Sequence, residues 1–202
     1  MPRWEQGSEE RLVAAALQLF REQGFEATSV VEIARRARVT NRTFFRYFPD
    51  KREVLFADAD ALRATLVEGL LQAPDVADPL RVVVRVLSGV DWESLAPRSS
   101  LRERQAVIAA SPELRERDLM KQEAMAVAVA GALAQRGVDE AVARLAARVG
   151  IQVFATAYER WLDAAEDADL PAIGDELLST LGTMTPPSRA APPGHRSPAS
   201  RS

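Results

Sequence analysis

The stretch RARVTNRTFFRYFPDK, residues 36–51, places four aromatic rings in five positions (Phe44, Phe45, Tyr47, Phe48) and threads basic residues between them. From Arg35 to Arg52 there are seven Lys/Arg residues (Arg35, Arg36, Arg38, Arg42, Arg46, Lys51, Arg52) and one acid, Asp50. The segment therefore carries +6 inside a chain of formal net charge −3. A solvated helix face usually alternates signs, whereas a concentrated basic patch suits a polyanion. On a helical wheel Phe44 and Phe48, four apart, share a face and with Val39 can pack onto neighbouring helices. Phe45 and Tyr47 fall off that face, beside Asn41, Arg42, Thr43 and Arg46. A guanidinium, an amide, a hydroxyl and a ring edge are the groups that read base edges in a DNA major groove.

The first turn of a recognition helix lies closest to the bases, so Asn41, Arg42 and Thr43 are expected to read them, with Thr40, the helix cap, and Phe45 also in the DNA-binding set. Arg46, Tyr47 and Lys51 suit phosphates, which fix register and supply salt-dependent affinity. Amides at the start of the preceding helix, near Thr28 and Ser29, offer a further anion seat.

The elements that must hold these residues read as helical nearly throughout. Ala, Leu, Glu and Arg dominate, and strand alternation and Asn-Gly hairpins are absent. A first helix is expected over about 9–23, capped by Ser8 and closed by Gly24, with Phe25 folding back on the last turn. Ser29 and Glu32 form a capping box for the second. The third follows after a tight turn at Arg38 and Val39, is capped by Thr40, and stops before Pro49. Two short helices joined this way are the layout of a helix-turn-helix. Further helices are expected over about 51–71, 79–95, 101–110, 111–136, 139–164 and 172–183. That makes about nine in an all-α chain. Residues 1–50 are expected to form the DNA-binding domain and 51–184 a helical bundle. Residues 185–202 hold five prolines and no acid or large apolar residue, and are expected to be disordered.

Composition removes several classes of function. The 202 residues contain no cysteine, and the one histidine, His195, lies in the Pro/Ser/Arg-rich tail. A cysteine nucleophile, a His-based triad and a Cys or multi-His metal site are thus excluded, and no cofactor is expected. The lack of cysteine fits a reducing cytoplasm. The longest uncharged apolar run, residues 124–135, is well short of the roughly 20 residues that span a membrane. The N-terminus is too polar for a secretory signal.

Residues 24–56, GFEATSVVEIARRARVTNRTFFRYFPDKREVLF, resemble the DNA-binding domain of TetR/AcrR-family repressors. The likeness covers about residues 8–56. It includes the Gly-Phe after the first helix, the Thr-Ser-Val opening of the second, the Val-Thr turn, the aromatic third helix and the lysine three residues after Phe48. SPELRER and YERWLDA further on resemble actinobacterial members. The resemblance implies a hydroxyl contact to DNA for Thr43 and phosphate contacts for Tyr47 and Lys51. It also implies dimerisation through about 139–164 and 172–183, and an effector site in the bundle. Two positions depart from the family pattern. Arg38 stands where the turn usually has Gly, and Phe45 stands where Tyr is frequent, with loss of a hydroxyl there.

In the bundle, Trp92, Phe154, Tyr158 and Trp161 could line an effector pocket, with Arg102 or Arg104 for an anionic group. They could equally be core or interface. The small-residue run AMAVAVAGALA permits close helix packing or leaves room for an acyl ligand. The expected function is a ligand-responsive repressor, not an enzyme. It binds a palindromic site on double-stranded DNA as a homodimer, and a small, lipophilic effector releases it. The alternatives are a helical interaction module and a transcriptional activator, each using the same basic patch.

Overall fold

The computed structural model describes residues 3–184, and the expected disordered tail lies outside the described residues. α1 (Arg3–Gln23), α2 (Val30–Arg36) and α3 (Asn41–Tyr47) form the N-terminal unit. α1 starts six residues before the expected Glu9. Ser8 is accordingly not its cap. It is buried inside the helix and accepts a hydrogen bond from Arg11 Nη2 at 3.0 Å. Gly24 closes α1 at φ +84°, and the Phe25 ring folds back to 5.2 Å from Phe20. The expected capping box is present. Ser29 accepts from the Glu32 backbone, and the Glu32 carboxylate accepts from the Ser29 backbone at 2.9 Å. Thr40 caps α3 by accepting from Thr43 N at 3.1 Å, and Phe48 leaves the helix in extended conformation before Pro49.

All nine expected helices are present, and besides α1 two differ clearly in extent. The one expected from Lys51 begins instead with a 3-10 turn, Glu53–Phe56, and becomes α-helical only in α4 (Ala59–Gln72). Val54, Leu55 and Phe56 are all buried against the N-terminal core. An α-helix cannot bury three consecutive residues on one face, and a tighter turn wraps them inward. The helix expected over 79–95 is cut into α5 (Pro79–Ser88) and α6 (Trp92–Leu95). The Asp91 side chain caps the second piece at Ser94 N, and the Trp92 indole donates to the Leu87 carbonyl at 3.1 Å, an acceptor left over at the end of α5.

α7 (Arg98–Ala110), α8 (Pro112–Gln135), α9 (Glu140–Asp163) and α10 (Leu170–Met184) complete the bundle. Its larger core joins α4, α5, α8 and α9, and a smaller one joins Leu101 of α7, Leu170 of α10 and the end of α9. α5 and α9 meet closely because Gly150 has no side chain: a Cβ there would lie 2.6 Å from Val83 Cγ1. The run AMAVAVAGALA resolves as packing, with Ala126, Val129, Ala132 and Leu133 in the larger core.

Beside the Arg21–Glu103 and Arg52–Glu113 ion pairs, three groups of contacts set the N-terminal unit against the bundle. Ile108 of α7 and Leu114 of α8 enter its core. Arg104 Nε donates to the Leu55 carbonyl at 2.6 Å. The Glu53 carboxylate takes both Arg117 and, at 3.0 Å, Lys121 of α8. Partial burial pushes the Glu53 carboxyl up, but the hydrogen bonds and charges of Arg117 and Lys121 outweigh this and hold its pKa below the usual glutamate value. A depressed pKa contributes stability above the unfolded value that disappears as pH falls through the folded one. Glu53→Gln is expected to lower stability at pH 7 by about 1 kcal/mol, after allowance for solvent screening. Urea unfolding should show that difference shrinking once the pH drops below the usual glutamate value. A difference that does not change with pH rules out a charge origin.

Candidate nucleic-acid interface

α3 is anchored from one side. Phe44 is fully buried, Phe48 nearly so, and both sit in the N-terminal core. Their rings lie 5.7 Å apart, as expected for positions four apart on one face. Val39 and Tyr47 pack partly against the same core. Asn41, Arg42, Phe45 and Arg46 are exposed on the opposite side. Phe45 is 56% exposed and meets Phe44 edge-on at 5.4 Å, so its ring edge is presented outward from a rigid support. Arg46 lies over the Tyr47 ring at 4.9 Å, and its Nη2 donates to the Tyr47 hydroxyl at 3.1 Å. This pairing carries the charge and the hydroxyl together. The Thr40 and Thr43 hydroxyls are 2.9 Å apart, so the Thr43 side chain is held by the helix cap.

Three of the expected contact residues hold the fold together instead. Thr28 is buried, and its hydroxyl donates to the Gly24 carbonyl at 2.8 Å. The anion seat at the start of α2 is already filled by the chain's own carboxylate. Glu32 receives both the Ser29 amide and, at 2.7 Å, the Ser29 hydroxyl. Those hydrogen bonds hold the Glu32 carboxyl below its usual pKa, so it stays ionised in that place. The Lys51 ammonium donates to the carbonyls of Phe25 (2.8 Å), Thr28 (3.1 Å) and Glu26 (3.4 Å), and lies 4.1 Å from the centre of the Phe25 ring. Its three N–H groups are all engaged in pinning the α1–α2 loop. Lys51 can reach a phosphate only by giving up part of that network.

The basic patch divides by pairing. Arg36 pairs with Glu22 at 2.7 Å, and Arg52 with Asp50 at 2.6 Å and Glu113 at 3.4 Å. Arg35, Arg38 and Arg42 are exposed and form no ion pair among the described residues. The charge count pointed to this patch, but only three dimensions separate the arginines that have an acid partner from those that lack one. Arg38 adds a backbone feature: at φ +58° it is the one non-glycine residue in the left-handed region among those described. Its amide closes onto the Arg35 carbonyl at 3.1 Å, and Val39 N reaches the Ala34 carbonyl at 2.9 Å.

The expected effector residues of the bundle also come together. Trp92 stacks on Phe154 at 5.5 Å and meets Tyr158 at 4.9 Å, and Tyr158 meets Trp161 at 5.7 Å. Burial pushes the Tyr158 phenol up to about 12, with the charge of Arg104 acting in the opposite direction. Arg98, which sequence reasoning did not select, covers the Trp161 ring at 4.0 Å and donates to the carbonyls of Ala165 and Ala168. Arg102 donates to the Leu162 carbonyl, which commits it to the end of α9 rather than to a ligand. Among the described residues, no group of three His, Cys, Asp or Glu could hold a metal ion, and no helix is long and apolar enough to cross a membrane.

A left-handed conformation costs a non-glycine residue about 1–2 kcal/mol, partly offset by the larger unfolded-state entropy of glycine. Arg38→Gly is therefore expected to stabilise the chain by about 0.5–1 kcal/mol while weakening DNA binding. The slope of log affinity against log salt should fall by about 0.9 per protomer. Thermal unfolding and a salt titration of DNA binding check the two signs. Unchanged DNA binding removes Arg38 from the interface.

Residues 12–57 match the family described as bacterial regulatory proteins, tetR family, and residues 76–186 match the MftR C-terminal domain. Over 154 residues the chain is 31% identical to the mycofactocin biosynthesis transcriptional regulator MftR of Mycobacterium tuberculosis, which takes in 73% of this chain and 76% of that protein. A 74-residue stretch is 36% identical to the transcriptional regulator TcmR of Streptomyces glaucescens. That match spans 37% of this chain and only 33% of TcmR. The fold is shared with NalD of Pseudomonas aeruginosa, described as the secondary repressor of the MexAB-OprM multidrug efflux pump (TM-score 0.60, 21% identity, 89% of this chain and 96% of that one). A helix-turn-helix with an outward arginine surface, joined to an MftR-type helical half, makes this chain a member of the TetR family of DNA-binding transcriptional regulators.

Proposed function

We propose that the chain is a cytoplasmic, ligand-responsive repressor that binds a palindromic operator as a homodimer and leaves it when a small, lipophilic effector binds the bundle. The observation that carries this reading is the one-sided anchoring of α3. Phe44 and Phe48 face inward, while Asn41, Arg42 and Phe45 face outward beside Arg35 and Arg38, which form no ion pair among the described residues. Arg42 can form the bidentate pair with guanine and Asn41 the pair with adenine, with Phe45 against a thymine methyl. Arg35, Arg38 and Arg46 supply phosphate contacts.

One such surface makes too few contacts for specificity, and a twofold dimer reads two half-sites about one turn of DNA apart. The dimer surface proposed is the outer face of α9 with α10. There Gln152, Val153, Thr156, Leu177, Leu181 and Met184 line a shallow groove, and Leu145 nearer the start of α9 is exposed. Val153 belongs to none of the core clusters, so it can be changed without opening the interior. The stacked rings of Trp92, Phe154, Tyr158 and Trp161 are proposed to receive the apolar part of the effector, by opening around it.

Val153→Glu is expected to convert the dimer to a folded monomer and to weaken operator binding at least tenfold, since the two half-sites are then no longer read together. Sedimentation and DNA-binding titration on a duplex selected from a random library check both effects. A Val153→Glu protein that stays dimeric moves the interface elsewhere.

A further inference from the structure

Arg104, in the middle of α7, stands where the two halves of the molecule meet. Its Nε donates to the Leu55 carbonyl at 2.6 Å, and its guanidinium lies 5.4 Å from the centre of the Phe56 ring. Leu55 and Phe56 are buried in the core of the DNA-binding unit, on the turn that leads from α3 into α4. Beyond Arg104 lies Tyr158, whose hydroxyl makes no hydrogen bond among the described residues, and behind Tyr158 are Trp92, Phe154 and Trp161.

This arginine lacks what its neighbours have. Arg117 has Glu53, Arg52 has Asp50 and Glu113, and the buried Arg98 has two carbonyls and Glu93. No carboxylate lies within ion-pair distance of Arg104 among the described residues. Asp58 and Asp118 act on it only from farther away. A guanidinium has five N–H donors. Leu55 engages the one on Nε, and neither terminal nitrogen has an acceptor among the described residues. The side chain is only half-buried, so its terminal nitrogens can be reached, and the guanidinium fork matches a carboxylate or phosphate held by two parallel hydrogen bonds.

On the reading of the chain as an effector-responsive repressor, we propose that Arg104 is the seat for an oxyanion on the effector and that occupying it withdraws the guanidinium from the Leu55 carbonyl. The ligand class is an anionic amphiphile. The acidic head sits on Arg104 and the apolar body lies along the rings of Tyr158, Trp92 and Phe154. Because Leu55 belongs to the DNA-binding unit, one guanidinium is shared between the effector and the support of α3. An oxyanion held side-on takes Nε together with one terminal N–H, so it competes with the Leu55 carbonyl for Nε, and that competition supplies the differential affinity by which an effector shifts a two-state equilibrium. A neutral ligand of the same length has the apolar term alone.

The test uses the full chain with three probes of one chain length: laurate, dodecyl phosphate and dodecanol. Binding is read from the change in tryptophan fluorescence of a Trp4→Phe background, which leaves Trp92 and Trp161, and release from the anisotropy of a duplex selected from a random library. Laurate or dodecyl phosphate should bind about tenfold or more tighter than dodecanol and should displace DNA. Comparing the first two identifies the preferred acid. Arg104→Met should lose that preference about tenfold while keeping its affinity for dodecanol, and Arg104→Lys should keep much of it. Arg104→Gln, which retains a donor but no charge, gives the same reading if the Met variant fails to fold. Wild type that treats laurate, dodecyl phosphate and dodecanol alike overturns the proposal, as does an uncharged variant that keeps the preference. If the wild-type chain selects no duplex, the repressor reading itself fails, and the fluorescence ratio still decides the role of Arg104.

Discussion

A seven-residue helix does not hold its own shape in water, because isolated helices of fewer than about 12 residues are marginal. α3 is such a helix, and Phe44 supplies most of what it lacks. The ring is fully buried among residues of α1, α2 and the 53–56 turn, and Phe48 extends the same contact past the helix end. Once one face is committed to the core, the other cannot turn inward, and Asn41, Arg42 and Phe45 are left outside. The same constraint explains why helix caps fill this region. The Ser29–Glu32 box and the Thr40 cap satisfy amides that two short helices cannot satisfy internally, and the Lys51 bonds to three carbonyls hold the α1–α2 loop before them.

The second consequence concerns coupling. The turn after α3 must bury Val54, Leu55 and Phe56 in succession, and doing so brings Glu53 and the Leu55 carbonyl against α7 and α8. The helical bundle therefore meets the DNA-binding unit at the residues that complete the support of α3, through packed side chains and a few polar bonds.

Much of this was legible in the sequence, since it rests on local signals. The capping box, the Gly24 stop, the Thr40 cap and the inward pair Phe44 and Phe48 each follow from residue type and spacing. What was not legible depends on partners far along the chain. Arg36 and Arg35 look alike in sequence, but only Arg36 has Glu22 beside it. Lys51 reads as a phosphate ligand until the loop at 25–28 is seen to wrap around its ammonium. Thr28 and Ser29 read as an anion seat because nothing local shows that Glu32 occupies it. Arg102 and Arg104 stand two apart on one helix, and only the fold sends the first to the end of α9 and the second to Leu55.

We expect pairing within the fold to decide which arginines of the patch reach DNA. Arg35 and Arg36 test it most directly, because they are adjacent and carry the same charge. The measurement is the salt dependence of duplex binding by Arg35→Ala and Arg36→Ala. The account predicts that the slope of log affinity against log salt falls by about 0.9 per protomer for Arg35→Ala and stays near the wild-type value for Arg36→Ala. An equal fall in both contradicts it, since bulk charge and not pairing would then govern the interface.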